Sequence, residues 1–138
     1  MQRCLFGLIA ILLLAGPVIA GENAAVTVDE LAKTSTSWNG SVLPAYPEGQ
    51  PEVTILRIRI APGTELPQHM HPIINAGVLL SGQLTVVTKK GETLHMKPGD
   101  PIVEVVNQWH YGRAEGDEPV DIIVFYAGVV DGKITIKK

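Results

Sequence analysis

Two histidines separated by one residue, His69 and His71, are the side chains best suited to chemistry in this 138-residue chain. In a β-strand both imidazoles project from one face, with Cα atoms about 6–7 Å apart. That separation suits two ligands of one metal ion. A histidine must be neutral to coordinate and its ordinary pKa is about 6.5, so metal affinity should fall as the pH drops below neutral. Short motifs also match by chance, so the pair needs support from the elements around it.

The chain around this pair is patterned for short β-strands. From Val53 onward, apolar residues recur with a period of two, and the runs end at turns containing Gly or Pro. Seven or eight such strands at close spacing indicate an all-β sandwich or barrel, not alternating strands and helices. The tail 133–138 alternates isoleucine with lysine, as an added edge strand would. The predicted strands are residues 53–60, 68–71, 75–80, 83–88, 93–96, 102–106, 110–114 and 120–126.

Two stretches of the sequence resemble the two conserved motifs of the cupin superfamily, G-x5-H-x-H-x3-E-x6-G and G-x5-P-x-G-x2-H-x3-N. They occur in the family's order and at a compatible separation, and the resemblance covers about residues 53–128. The matching positions are Gly63, His69, His71 and Gly82 in the first motif, and Gly99 and His110 in the second.

The resemblance implies a single-domain cupin β-barrel, which is a double-stranded β-helix or jelly roll. It also implies one divalent transition metal ion held by His69, His71 and His110, and imidazole ligation does not choose among Fe, Zn, Mn, Ni and Cu. A homodimer is expected as well, since cupin barrels often pair through edge strands.

Four positions depart from the family pattern. Asn75 stands where the family has its metal-binding glutamate, Val105 where it has proline, Asn107 where it has glycine, and Ala114 where it has asparagine. Three neutral imidazoles and a neutral amide leave a divalent site near +2, which should favour an anionic or chelating small-molecule ligand. Asn75 itself either binds the metal weakly through its side-chain oxygen or hydrogen-bonds a bound water.

Glu104 is the acidic candidate that remains, in an apolar run between Ile102 and Val106. If that face points into the barrel, the carboxylate is a general base, a replacement acidic ligand, or an acceptor for a histidine N–H. The alternative is an outward-facing side chain in a salt bridge, because a buried acid needs a partner.

Four further residues complete the set of candidates. Gln68 and Tyr126 are possible polar groups of the pocket. Gly77 follows Asn75 by two, so it either opens room above the metal or marks a bulge. His95 is predicted to be a surface residue and not a fourth ligand, because no partner ligand stands beside it.

The N-terminus has the layout of a secretory signal peptide, with Arg3, an apolar run over 5–14, a helix-breaking Pro17 and small residues up to Ala20. We expect cleavage after Ala20, a periplasmic or secreted protein, and no membrane attachment once the signal is removed. The only cysteine, Cys4, leaves with this segment, so disulfides and thiolate ligands are excluded. Without Arg3 the net charge is −4, and no basic cluster suggests a nucleic-acid partner.

The expected organisation is a signal peptide over 1–20, an N-terminal arm over 21–50 and the barrel over 51–138. The arm is rich in Ser, Thr, Asn, Gly and Pro, with a possible short helix at 28–33. Trp38 and Tyr46 are predicted to anchor the arm by apolar packing.

Three functions remain open at this point. A mononuclear metal enzyme, dioxygenase-like or lyase- and isomerase-like, would act on a small anionic substrate with the metal as Lewis acid. A binding protein would capture a metabolite or the metal without turnover. A structural module would bind no metal. An inward-facing acid would favour the enzyme, whereas an apolar pocket would favour the binding protein.

Overall fold

The computed structural model describes residues 25–138, so the predicted signal peptide lies outside the described residues. Within that range the chain forms nine β-strands and no α-helix, so no helix there is long and apolar enough to cross a membrane. The strands are β1 (Pro51–Ile60), β2 (His69–Met70), β3 (Asn75–Ser81), β4 (Gln83–Thr88), β5 (Thr93–Met96), β6 (Pro101–Val103), β7 (His110–Glu115), β8 (Val120–Val129) and β9 (Ile136–Lys137).

The strands pair into two antiparallel sheets. One has four strands in the order β1-β8-β3-β6, and the other has five in the order β5-β4-β7-β2-β9. The longest pairing joins β1 to β8 over ten residues, from Pro51 opposite Val129 to Ile60 opposite Val120. The all-β fold predicted from the period-two pattern is confirmed, and β9 occupies a sheet edge as the sequence predicts.

Alternation along the strands separates the core from the surface. In β8, Ile122, Val124 and Tyr126 are buried, whereas Ile123 and Phe125 between them are exposed. Each aliphatic side chain buried in this way contributes roughly 1.5–3 kcal/mol of hydrophobic stabilisation. The inward faces of the two sheets therefore build one shared core, and the same alternation carries polar side chains inward where they occur.

Two tight turns need a residue that tolerates a positive φ. Gly82 has φ 75°, and a Cβ there would lie 2.6 Å from the carbonyl oxygen of Pro119, so only glycine fits. Asn107 has φ 56°. Asparagine is among the few other residues that visit this region, which explains how it replaces the glycine of the second motif.

Strand ends differ from the predicted ones where pairing partners decide them. β8 continues to Val129 because β1 pairs with it to the end. β6 stops at Val103, after which the backbone N–H of Glu104 donates to the carbonyl of Asn75 at 3.0 Å. A two-residue β2 is all that remains of the predicted strand 68–71.

The arm over residues 25–50 lies against the barrel without forming a helix. The predicted helix at 28–33 is wrong, since six exposed residues cannot offset the cost of helix nucleation. Trp38 is partly buried against the core, and its backbone N–H donates to Val103 at 2.9 Å. Tyr46 is 73% exposed and does not act as an anchor.

Candidate metal centre

Two strands and one isolated bridge bring the three motif histidines together. His69 in β2 pairs directly with His110 at the start of β7. His71, one residue beyond β2, bridges to Val106, and its carbonyl accepts the backbone N–H of Asn107 at 2.8 Å. The left-handed turn at Asn107 therefore helps to bring His71 close to the strand that carries His110.

The imidazole rings of His69, His71 and His110 form a compact triangle. Ring centroids are 5.1 Å apart for His69 and His71, 4.5 Å for His69 and His110, and 5.1 Å for His71 and His110. One nitrogen of each ring lies within 4.8 Å of the other two. His71 and His110 are buried, at 5% and 2% exposed, and His69 is partly buried. This spacing allows one cation to be shared by all three.

Each ring is oriented by a hydrogen bond between its Nδ1 atom and a backbone carbonyl. Because a carbonyl oxygen only accepts, each Nδ1 carries a proton, so in the neutral form of each ring Nε2 has a lone pair available to a metal ion. In the described part of the chain, the buried Nε2 of His110 has no hydrogen-bond partner at all. The carbonyls are those of Pro67 at 2.9 Å from His69, Ile134 at 2.8 Å from His71 and Gln108 at 2.9 Å from His110.

Burial favours the neutral form that coordination requires in two of the three rings, His69 and His71. Desolvation lowers the pKa of His71 to about 4. The hydrogen bond to the Ile134 carbonyl opposes this shift, and the charges of His110 and His69 add to it. Desolvation also lowers the pKa of His69. These two rings stay neutral below pH 6.5, so metal affinity should persist to a lower pH than the ordinary histidine value suggests.

Glu104 lies inside the barrel beside the histidines. It is 8% exposed, and its Oε2 atom is 3.7 Å from Nε2 of His110. Its Oε1 atom accepts hydrogen bonds from the indole N–H of Trp38 at 2.9 Å and from the backbone N–H of Val105 at 2.8 Å. Of the two predicted orientations, the inward one is therefore observed, and Oε2 remains directed toward the histidine cluster.

Two departures from the family motifs, Asn75 and Val105, both contact Glu104 through the backbone. Asn75 removes the motif carboxylate, and Glu104 lies next to it, because the Glu104 N–H bonds the Asn75 carbonyl. Val105 replaces the motif proline, which has no N–H, and the N–H so gained holds the Glu104 carboxylate. An acidic side chain is therefore present on the chain segment that is hydrogen-bonded to Asn75.

A cavity of about 430 Å³ contains the histidine triangle. Asn75, 2% exposed, lines it and donates its amide N–H to Ile73 at 3.4 Å. Tyr126 lines it too, with its ring centroid 5.5 Å from that of His71, and burial raises the pKa of its hydroxyl. These two predicted residues and Glu104 therefore share the cavity with the histidines.

Two predicted pocket residues do not line this cavity. Gln68 is outside it, with its backbone carbonyl accepting the N–H of Lys138 at 3.1 Å. Gly77 opens no room above the metal, because a Cβ there would lie 2.5 Å from the carbonyl oxygen of Ile123. Its missing side chain allows β3 and β8 to approach. His95 is exposed and outside the cluster, as predicted, with Nδ1 3.0 Å from the Thr85 hydroxyl.

The sequence did not predict the site residues that the N-terminal arm and the C-terminal tail contribute. Trp38 was predicted to be only an apolar anchor, yet its indole N–H holds Glu104. The tail supplies the Ile134 carbonyl to His71, and Thr135, whose hydroxyl is 3.2 Å from the same Nδ1 atom. Lys137 of β9 lines the cavity. The period-two pattern of the tail could have pointed to an inward-facing set of residues there.

Comparison with known proteins identifies the family of this arrangement. The sequence profile of the family described as "Cupin domain" matches residues 56–126, which is more than half of the chain. No curated protein matches the sequence.

Solved structures share the fold at low sequence identity. A cupin-like protein from Thermotoga maritima has a TM-score of 0.56 and 20% identity, covering 62% of this chain and 64% of that one. Oxalate oxidase in complex with the substrate analogue glycolate has a TM-score of 0.52 and 19% identity, over 62% of this chain and 45% of its own. A DMSP lyase from Ruegeria pomeroyi has a TM-score of 0.55 and 17% identity, covering 72% of this chain and 47% of that one. The chain thus spans less than two thirds of the length of each.

Proposed function

This chain belongs to the cupin family, and we propose that it is a metal-dependent enzyme that binds one divalent transition metal ion through His69, His71 and His110. Its substrate is proposed to be a small anionic or chelating molecule that occupies the open coordination positions. Solved structures with the same fold include an oxidase holding glycolate and a DMSP lyase, which is consistent with small organic acids as ligands.

The donor set fits a metal ion of this kind. Three imidazoles whose Nδ1 atoms are bound to backbone carbonyls have nitrogen atoms within 4.8 Å of one another, and imidazole is a ligand for Fe, Zn, Ni and Cu. The unpartnered, buried Nε2 of His110 would carry a desolvation cost that a bound cation removes. A divalent ion at this point supplies Lewis acidity, polarising a substrate oxygen.

The observation that carries the proposal of an enzyme is the inward carboxylate of Glu104. Trp38 and Val105 fix its Oε1 atom, so that Oε2, 3.7 Å from His110, faces the space where a substrate would lie. Glu104 is therefore positioned to accept a proton from a substrate carbon next to a polarised carbonyl. That role favours lyase- or isomerase-like chemistry over oxygen-dependent chemistry.

Capture of a ligand without turnover is the second candidate function. It is favoured by the lining of the cavity, which is mostly aliphatic beyond the histidine end. Both functions need the same metal site, and they differ in whether Glu104 moves a proton.

Hydrogen exchange into ²H₂O separates the two functions. The metal-loaded protein is incubated with a panel of 2-oxo and 2-hydroxy acids. NMR follows the loss of the C3 proton signal of each 2-oxo acid and of the C2 proton signal of each 2-hydroxy acid. We expect proton exchange with at least one acid of the panel. Glu104→Gln should abolish this exchange while the acid still binds. Binding without exchange in the wild-type protein would leave the binding function and reject the enzyme.

We also propose that the protein is exported, since residues 1–20 have the layout of a signal peptide. N-terminal sequencing of the protein from its native host should give Gly21 as the first residue. A mature chain that still begins at Met1 would contradict export by this route.

A further inference from the structure

The cavity has two chemically different ends. The polar side chains gather around the histidine triangle, where Asn75 pairs with Tyr126 across β3 and β8, and Glu104 lies beside both Asn75 and His110. Apart from Thr135 and Lys137, the rest of the wall is apolar. It includes Leu56, Ile58 and Ile60 of β1, Val86 of β4, and Ile122 and Val124 of β8.

The cavity as a whole is larger than a very small ligand needs. A cavity of about 430 Å³ would hold on the order of a dozen waters, yet waters need polar partners that aliphatic walls do not provide. The volume falls in the range of roughly 300–1,000 Å³ found for pockets that enclose ligands of drug size. A two-carbon acid at the histidines would leave most of this space poorly hydrated.

The charges near the site match a ligand with one negative group. Across the described residues 25–138, no arginine lines the cavity, and its one lysine, Lys137, is exposed. Leu56 is also 37% exposed, so these two residues lie at the mouth. A dianion seated at the histidines would find no arginine and no buried lysine for its second charge. It would also face the Glu104 carboxylate.

From this division we propose that the ligand is amphiphilic: a monoanionic chelating head group at the histidine triangle, carrying an apolar body of about six or more carbons. The inference rests on the proposed metal site and adds the chemical class of the molecule that occupies it. Burial of the apolar body then supplies much of the affinity, since each methylene removed from water strengthens binding about fourfold in the ideal case.

A chain-length series tests this proposal on the zinc-loaded protein. Linear hydroxamic acids of two to eight carbons are titrated calorimetrically, with oxalate as the dianionic comparison, and metal content is measured after each titration. We expect a gain of about two- to fourfold per methylene, hence at least about 60-fold from two to eight carbons. An affinity that does not depend on chain length, or oxalate binding more tightly than the eight-carbon ligand, would overturn the proposal.

Two neighbouring residues of β1 provide a matched pair of variants. Leu56 lines the cavity, whereas Ile55 is 65% exposed and does not. Leu56→Glu should weaken binding of the eight-carbon ligand at least tenfold and leave the two-carbon ligand within about twofold. Ile55→Glu, with the same added charge, should change neither. Equal effects of the two variants would contradict the assignment of the aliphatic wall.

The metal site and the amphiphilic ligand can be rejected independently of each other. If zinc binds stoichiometrically but chain length has no effect, the amphiphilic ligand is rejected and the metal site stands. If zinc does not bind, the metal-free protein is tested by displacement of a fluorescent apolar probe with linear fatty acids. A gain with chain length there would support the apolar subsite while the metal-dependent function fails, and no gain would reject both.

Discussion

Glu104 and His110 face each other inside the barrel, with Oε2 of the glutamate 3.7 Å from Nε2 of the histidine. Because Nδ1 of His110 donates its proton to the Gln108 carbonyl, the Nε2 atom carries a lone pair in the neutral ring. Two electron-rich atoms therefore approach each other in a site shielded from water, an arrangement that a cation between or beside them would stabilise.

Removal of the Glu104 charge should weaken metal binding without unfolding the protein. In Glu104→Gln the side-chain oxygen can still accept the N–H groups of Trp38 and Val105, so the local structure is kept. We expect the zinc affinity to fall by about 10- to 100-fold, as is typical when a group that supports a metal site is lost. A competition titration with a chelator of known affinity measures this, and an unchanged value would show that the carboxylate does not act on the metal.

The indole of Trp38 should stabilise the fold mainly through Glu104. Trp38→Phe keeps most of the apolar contact and removes one hydrogen bond to a buried carboxylate, at a cost of about 1.5–3 kcal/mol in the free energy of unfolding. Urea denaturation measures the loss, with Trp109→Phe as the control, since Trp109 does not line the cavity. In a Glu104→Gln background the loss should shrink, and equal losses in both backgrounds would argue against the coupling.

Restoring a carboxylate at position 75 should raise metal affinity. Asn75 is 2% exposed and lines the cavity, so Asn75→Glu adds a buried negative charge close to the histidines. We expect the metal-free variant to be less stable and its thermal shift on adding zinc to be larger than that of the wild type. Asn75→Gln is the neutral control of the same size, and an equal shift in both variants would mean that position 75 does not face the ion.

The metal-free protein should lose stability as the pH falls from about 6.5 to 4. In the unfolded chain His71 titrates near 6.5, whereas burial lowers its folded pKa to about 4. Within this window the unfolded state binds more protons, so acidification favours unfolding, by about 3 kcal/mol for His71 alone. Burial lowers the pKa of His69 as well and acts in the same direction.

Urea denaturation at pH 7, 6, 5 and 4 in the presence of a chelator measures this dependence. The slope of the free energy of unfolding against pH should be clearly smaller in His71→Gln, which removes the titrating group. A slope that is the same in this variant and in the wild type would place the acid sensitivity elsewhere.

The sequence predicted the parts of the fold that repeat a local pattern. Alternation in β8, where Ile122 and Val124 are buried and Ile123 is exposed, is a period-two signal that needs no knowledge of partners. The ends of β6 and β8 were missed because they depend on which strand lies alongside, and β1 was not known to pair with β8 over its full length. Homodimerisation, expected from the family resemblance, stays a prediction.

The site was predictable where motif register fixes it and not where distant segments meet. His69 and His71 were predicted from their spacing and His110 from its register in the second motif of the resembled family, and the structure brings the three rings together. The orientation of Glu104 was left open because it is decided by Trp38, 66 residues away in the chain, and by the backbone of Val105. Neither of the two roles predicted for Gly77, room above the metal or a bulge, includes the close approach of β8, because that approach is invisible in a single strand.

The most direct test of the account is the metal content of the purified protein and of two histidine variants after saturation with zinc and dialysis. We expect one equivalent of zinc in the wild type, one in His95→Ala, whose side chain lies outside the cluster, and less than about a tenth of an equivalent in His71→Ala, with circular dichroism showing a folded barrel in all three. Full occupancy in His71→Ala, or no zinc in the wild type, would contradict a metal centre built from the three histidines.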